Sequence, residues 1–481
     1  MTVSVLMCGD GLAPDDRAGL VDSPVRVVDA LCRYPEELTT LDEAVDALVL
    51  VLHNDQVAPS DVEAQIRAAG LDPLGVPMLD ADEYAGDPTR LGVAVAAASA
   101  RAAAFPGSNP AHAKPVFPDR FTRRSLFTVP QPSYVAAPAI DSLVCAAGDG
   151  CDLCVGACPQ QAYTWVEGRI AYDKDVCAPC GICVTTCPIG AVSNPAANPD
   201  ALAAQIEAIV AVHAGPVGVL FRCSRGAADP APPDWQVVEV PCTGMVTAPW
   251  AVAPLLQGAA QVAVLPCAAS GCDRGLDTRA EAAVDFAAEL LVAMGIASDR
   301  VTTKPTAITT IPLPGAPIDD PFGPRAAARV YAGLRTVTQS DVAEVAGAEA
   351  SLGVVAIEAG ACTMCTMCVQ RCPTGALAAG YSSAGQLTIS FDPVDCTACD
   401  QCMAVCPEVG RGAISVEHVV DFAALAAGRT ELNQSATHAC ERCWQPVAPT
   451  VMMDRISDIL GDDPALMGHL TRLCLACRGS S

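Results

Sequence analysis

Apolar residues come along this chain in runs of contrasting kind. Residues 3–7 and 47–52 are short and unbroken, the pattern of strands buried on both faces. Residues 62–69 and 91–105 repeat their apolar positions at helical spacing, so residues 1–105 read as a small α/β domain. Between 200 and 340, strand-like runs ending at Cys223, Cys242 and Cys267 alternate with helical stretches such as 250–258. That alternation predicts a parallel sheet with crossover helices, whose ligands collect beyond the carboxyl ends of the strands. Cysteine at three successive strand ends, with Cys272 close behind, points to a metal site more than to scattered core thiols. The fold class is therefore multidomain, α/β plus α+β.

Residues 106–140 are proline-rich and aperiodic and read as an extended linker, with a shorter one at 337–350. Periodicity leaves two stretches unexplained, 141–198 and 351–420, and both are dominated by cysteine. In the second, Cys362, Cys365, Cys368 and Cys372-Pro373 are followed by Cys396, Cys399, Cys402 and Cys406-Pro407. Each set has the C-x2-C-x2-C-x3-C-P spacing by which a loop and the first turn of a helix close around a cubane 4Fe-4S cluster. In the first stretch Cys177, Cys180, Cys183 and Cys187-Pro188 keep that spacing, and Cys151, Cys154 and Cys158-Pro159 supply its last three positions. Cys145 is the natural first position, set back by an insert; a centre with another ligand, or with three irons, is the alternative. Zinc or a disulfide suits a lone C-x2-C, but rarely this whole motif in tandem. Residues 163–172 and the run through 385–391 read as hairpins that cover the clusters with apolar faces.

The two stretches resemble the bacterial two-cluster ferredoxin, twice over. In that family the cysteine before proline serves the other cluster of its pair. The resemblance implies clusters on Cys362, Cys365, Cys368 with Cys406, and on Cys396, Cys399, Cys402 with Cys372. It likewise implies Cys145, Cys151, Cys154 with Cys187, and Cys177, Cys180, Cys183 with Cys158. Val240-Pro-Cys-Thr-Gly244, the run 258–267 and Gly271-Cys-Asp-Arg-Gly275 are similar to the delta subunit of methyl-viologen-reducing hydrogenase. That family binds a 2Fe-2S cluster and passes electrons between a hydrogenase or formate dehydrogenase and heterodisulfide reductase. The likeness implies such a cluster on Cys223, Cys242, Cys267 and Cys272, with Cys223 alone where the family has a cysteine pair. Residues 48–59 and 66–73 resemble the N-terminal domain of the flavin-bearing subunit of heterodisulfide reductase, whose cysteines hold a cluster of their own. Here Cys8 and Cys32 stand at matching places, but His53-Asn54 replaces the next cysteine, so the domain reads as a docking remnant with two core thiols. The dinucleotide-binding part of that family is missing, since no strand leads into G-x-G-x-x-G.

Composition narrows the picture further. A net charge of −26 speaks against nucleic acid and anionic membranes, which need a basic footprint. Twenty-six cysteines in ligand spacings, in a chain of 481 residues, imply a reducing compartment. With no export signal and no apolar span, the expected location is cytoplasmic; Arg123-Arg124 is internal and reads as part of the linker arm. Lysine occurs only at 114, 174 and 304, which reads as a habit of composition. In residues 430–481 the knuckles Cys440-x2-Cys443 and Cys474-x2-Cys477 read as a tetrahedral structural zinc site, with a fifth cubane as the second reading and His438 as a flanking residue.

No phosphate loop, nucleophile elbow or HExxH motif is present, and no residue is assigned an acid, base or nucleophile role. The expected function is a non-catalytic electron-transfer subunit with four 4Fe-4S clusters, one 2Fe-2S cluster and one zinc. Its partner would be a flavoprotein, a hydrogenase, a formate dehydrogenase or a molybdenum- or tungsten-dependent oxidoreductase. Two other classes stay open: a self-contained flavin enzyme, marked by flavin absorbance that survives desalting, and an iron–sulfur sensor or assembly protein, marked by labile clusters.

Overall fold

The computed structural model describes residues 3–9, 25–28, 31, 32, 35, 38, 46–53, 59–116, 133–224, 230–266, 276–382, 385–461 and 472–478. The chain divides into two compact units, Met1–Cys145 with Asp152–Asp341, and Ala146–Cys151 with Val342–Ser481.

The first unit begins with β1 (Val3–Cys8), β2 (Val25–Val28), β3 (Ala47–Leu52) and β4 (Met78–Asp80), all parallel in the order β2-β1-β3-β4. β3 reads ALVLVL and is buried throughout, as a central parallel strand must be. Val49 and Val51 face one core with Tyr84, Leu91 and Ala94, while Leu48, Leu50 and Leu52 face another with Cys8, Cys32 and Ile66. Helices α1 (Pro59–Ala68) and α2 (Pro88–Ala103) supply those cores. α2 starts where it does because Asp87 accepts from the Arg90 amide at 2.9 Å and Pro88 occupies the first turn. Periodicity predicts β1, β3 and both helices; β2 and β4, of four and three residues, are too short to show a period.

The proline-rich stretch is more than an extended arm. Its ends, β5 (Ala113–Val116) and β6 (Ser133–Ala136), pair antiparallel, and a two-stranded ribbon tolerates Pro115 because both strands are edges. The first cysteine stretch follows as β7 (Ala139–Ile140), α3 (Leu153–Ala157), β8 (Tyr163–Val166), β9 (Arg169–Tyr172), α4 (Ile182–Thr186) and β10 (Val192–Ser193). β7 pairs with β10 and β8 with β9, both antiparallel. Lys114 donates to the carbonyls of Asp175 and Cys177, and Lys174 to those of Pro110 and Ala113. Two of the three lysines thus tie the ribbon to the cysteine loop, a role composition did not suggest.

Next come α5 (Pro199–Val212), β11 (Gly218–Cys223), β12 (Trp235–Val240), α6 (Ala248–Gln257), β13 (Gln261–Val264), α7 (Asp277–Ala293), β14 (Val301–Thr302) and α8 (Ala326–Thr338). The parallel sheet, ordered β12-β11-β13-β14, is the one the alternation predicts. β12 ends at Val240, which leaves Cys242 two residues beyond it. A buried charge cluster joins the two sheets: Glu83 accepts from Arg90 at 3.0 Å, Arg222 at 2.8 Å and the Ala231 amide at 3.1 Å. Burial opposes ionisation of Glu83, but the Arg222 hydrogen bond and the other donors together hold its pKa below the usual carboxylate value.

The second unit holds β15 (Glu344–Ala346), β16 (Gly353–Ile357), α9 (Met367–Arg371), β17 (Leu377–Tyr381), β18 (Leu387–Phe391), α10 (Gln401–Val405), β19 (Ile414–Asp421), α11 (Phe422–Ala427) and β20 (Thr430–Ser435). They form two antiparallel sheets, β15-β19-β16 and β17-β18-β20. The tail adds β21 (Thr437–Ala439), β22 (Pro446–Pro449), α12 (Thr450–Leu460) and α13 (Leu475–Arg478). Arg455 on α12 holds Glu408 at 3.2 Å, and Val451 packs on the core of the cysteine module. No helix among the described residues is long and apolar enough to cross a membrane.

Candidate metal centres

The cysteine loops of the second unit owe their shape to two local rules. Met364 and Thr366, then Ala398 and Asp400, adopt left-handed φ of 56°, 62°, 49° and 57°, which curls each loop around its own thiols. The Met364 amide donates to Cys362 Sγ at 3.4 Å. Thr366 and Asp400 then open α9 and α10, each of which stops on a cysteine before proline. Proline disfavours helical backbone in the residue before it. Cys372 and Cys406 are accordingly extended, with ψ of 106° and 117°, as are Cys158 and Cys187 with 112° and 109°. The turn out of the helix aims the last thiol of each motif away from its own loop.

Two cavities result, each with ≈ 340 Å³ of non-atom space. One is walled by Cys362, Cys365, Cys368 and Cys406, with Ile357, Ile389 and Ile414. The other is walled by Cys396, Cys399, Cys402 and Cys372, with Leu377, Phe391 and Val416. Each takes three thiols from one motif and the fourth from the other. Burial, and then the neighbouring thiols, push Cys368 and Cys402 up to about 12. Four crowded thiols in an apolar cavity cannot all ionise by themselves. A bound iron centre supplies the positive charge that makes them thiolates, so the donor set fits such a group.

In the first unit Cys145, Cys154, Cys158, Cys183 and Cys187 share one apolar cluster with Tyr163 and Tyr172. Cys183 is pushed up to about 12 by burial, with Cys180, Cys177 and Cys158 as its thiol neighbours. Cys151 falls in Ala146–Cys151, which groups with the second unit. Tyr163 Oη donates to Cys183 Sγ at 3.3 Å. Tyr172 Oη is buried and faces Cys177. Two buried hydroxyl donors facing thiols suit a site shaped for cluster sulfurs. The hairpin over these cysteines therefore presents two hydroxyls, where the sequence reading expects an apolar cover; the signal was tyrosine at 163 and 172 against Leu377 and Phe391 in the second copy.

At the carboxyl ends of the parallel sheet, Cys223 and Cys242 come together. Their mutual hydrogen bond, then burial, raises the Cys242 thiol, and Cys180 is a further thiol neighbour. Gly181 makes that approach possible: at φ +79°, a Cβ there would lie 2.6 Å from Met245 Sδ and 3.7 Å from Pro241 Cβ. Cys267 and Cys272 lie outside the described residues. Cys8 and Cys32 sit in an apolar core, with Cys8 Sγ accepting from the Cys32 amide and Cys32 Sγ from the His53 amide, both at 3.3 Å. The His53 ring turns elsewhere, to Asp82 at 3.0 Å.

The tail is different in scale. The sulfurs of Cys440, Cys443, Cys474 and Cys477 all lie within 4.8 Å of one another, and Cys443 and Cys474 are 3.5 Å apart. Ligands 2.3 Å from one tetrahedral ion stand about 3.8 Å apart, whereas thiolates on a cubane stand on the order of 6 Å apart. The spacing fits a single ion. Backbone donors, the Cys474 amide first, pull the Cys440 thiol down to about 6, the condition of a ligand that binds as thiolate. His438 is exposed on β21 and outside the group.

Parallel α/β sheets in one unit, and in the other tandem loops whose cysteines line shared cavities, make this a multidomain α/β chain with a ferredoxin-type iron–sulfur domain. Comparison with known families agrees and adds detail. Residues 361–409 match the family described as 4Fe-4S dicluster domain, and residues 225–312 match the methyl-viologen-reducing hydrogenase, delta subunit. The chain fits an iron–sulfur subunit built with those modules. No curated protein matches it.

Proposed function

We infer that the chain is an electron-transfer subunit of a larger oxidoreductase complex, relaying single electrons between a flavin- or metal-containing catalytic partner and another carrier. In this reading 4Fe-4S clusters are held by Cys362, Cys365, Cys368 and Cys406, and by Cys396, Cys399, Cys402 and Cys372. Two more are held by Cys145, Cys151, Cys154 and Cys187, and by Cys177, Cys180, Cys183 and Cys158. Cys223, Cys242, Cys267 and Cys272 hold a 2Fe-2S cluster, and the four tail cysteines hold zinc. Such clusters exchange one electron at a time without making or breaking a substrate bond. The chain's own residues supply thiolates, amide donors to sulfur, and apolar walls such as Phe391 and Ile389 that keep water out.

One observation carries the reading: two equal cavities, each walled by thiols of both motifs. The delta-subunit-like region supports association with a redox complex, and the many thiolates suit a reducing cytoplasm. Anaerobic purification with its neighbours from the native host, followed by iron, sulfide, zinc and flavin analysis, tests it. The expected product is brown, bleaches on reduction and carries iron and sulfide in equal amounts. Colourless protein with zinc as its only metal overturns the reading.

A further inference from the structure

Tyr163 and Tyr172 are cross-strand partners on β8 and β9, with rings stacked at 4.9 Å and 22°. One hydroxyl bonds Cys183 Sγ, and the other is buried and faces Cys177. Both point at the centre formed by Cys158, Cys177, Cys180 and Cys183. In the second unit the corresponding cross-strand pair is Leu377 and Phe391, and both line the cavity of Cys372, Cys396, Cys399 and Cys402. The two hairpins match at their ends: Tyr163 and Leu377 each stand five places after the cysteine of a Cys-Pro, and Tyr172 and Phe391 each five before the next cysteine. One centre therefore has two O–H donors where its counterpart has hydrocarbon.

We propose that Tyr163 and Tyr172 tune the centre at Cys158, Cys177, Cys180 and Cys183, donating hydrogen bonds to its sulfurs and raising its reduction potential. Reduction adds one electron and one negative charge, and hydrogen bonds to sulfur stabilise that charge. The step needs no proton transfer, because a phenol keeps its hydrogen near neutral pH and only donates it. The centre so favoured is also the one whose Cys180 adjoins Cys242, which makes it the preferred resting place for an electron passing that junction. The inference rests on the functional reading above.

The test is a potentiometric titration of the full chain, with its partners, followed by electron paramagnetic resonance. In Tyr163→Phe and Tyr172→Phe, one component should move to lower potential while the others stay. At fixed ambient potential its reduced-to-oxidised ratio should fall about tenfold per hydroxyl, or 59 mV for a one-electron couple. Phe391→Tyr adds a hydroxyl to the other centre and should move a different component upward, which keeps the idea testable if the tyrosine variants fold poorly. An iron-replete double variant Tyr163→Phe/Tyr172→Phe whose titration superimposes on the wild type overturns this inference alone. Protein without iron overturns the functional reading and this one with it.

Discussion

Cys372 and Cys368 are four residues apart in sequence but line different cavities, and their removal separates the two possible wirings of the module. Cys368→Ala and Cys372→Ala each leave one cavity with three thiols, so each should cost one cluster, about four irons per chain. The double variant Cys368→Ala/Cys372→Ala strips both cavities and should cost about eight. Cys372→Ala/Cys396→Ala strikes one cavity twice and should stop at about four, since losses at a shared site do not add. Iron and acid-labile sulfide per chain after anaerobic purification read the result, with circular dichroism confirming that each variant folds. The reasoning is refuted if Cys368→Ala/Cys372→Ala keeps as much iron as either single variant, because both cysteines would then serve one centre.

Other features give equally direct expectations. Glu83→Gln leaves Arg90, its side chain 6% exposed, without its counter-charge, and leaves Arg222, 14% exposed, with Glu239 alone. A cost of about 3 kcal/mol is expected, read as roughly hundredfold faster amide exchange in Trp235–Val240; unchanged exchange would refute it. Gly181→Ala drives a Cβ into Met245 from a left-handed backbone and should cost about 2 kcal/mol in a urea midpoint. Adding Met245→Ala should recover part of that loss, and independent, additive effects would sink the contact argument. Blocking the four tail thiols in the presence of a chromogenic chelator should release about one zinc per chain and, by loosening the local fold, speed tryptic cleavage at the exposed Arg442 and Arg472; release of iron instead would disprove a single-ion site.

Much of this was legible in residue order. The cysteine spacing located the thiol loops, the unbroken ALVLVL run located a buried strand of the first α/β domain, and the strand–helix alternation located the parallel sheet of the second. What escaped has physical reasons. β14 is two residues long and carries no period, and the β5–β6 pairing depends on partners far apart in sequence. The Glu83 cluster joins residues 139 apart, and no local pattern announces such a charge pair. Tyr163 and Tyr172 were visible, but as hairpin residues; their hydroxyls acquire meaning only when the strands bring them onto the thiols.

The four left-handed residues at 364, 366, 398 and 400 have a consequence for how the protein is made. None is glycine, and each pays about 1 kcal/mol to sit there. A chain newly released from the ribosome has no reason to keep that shape until something inside the loops rewards it. The loops should then stay slack and reachable while empty, and lock when filled, so that biosynthesis runs from open mouth to closed jaw and seldom in reverse.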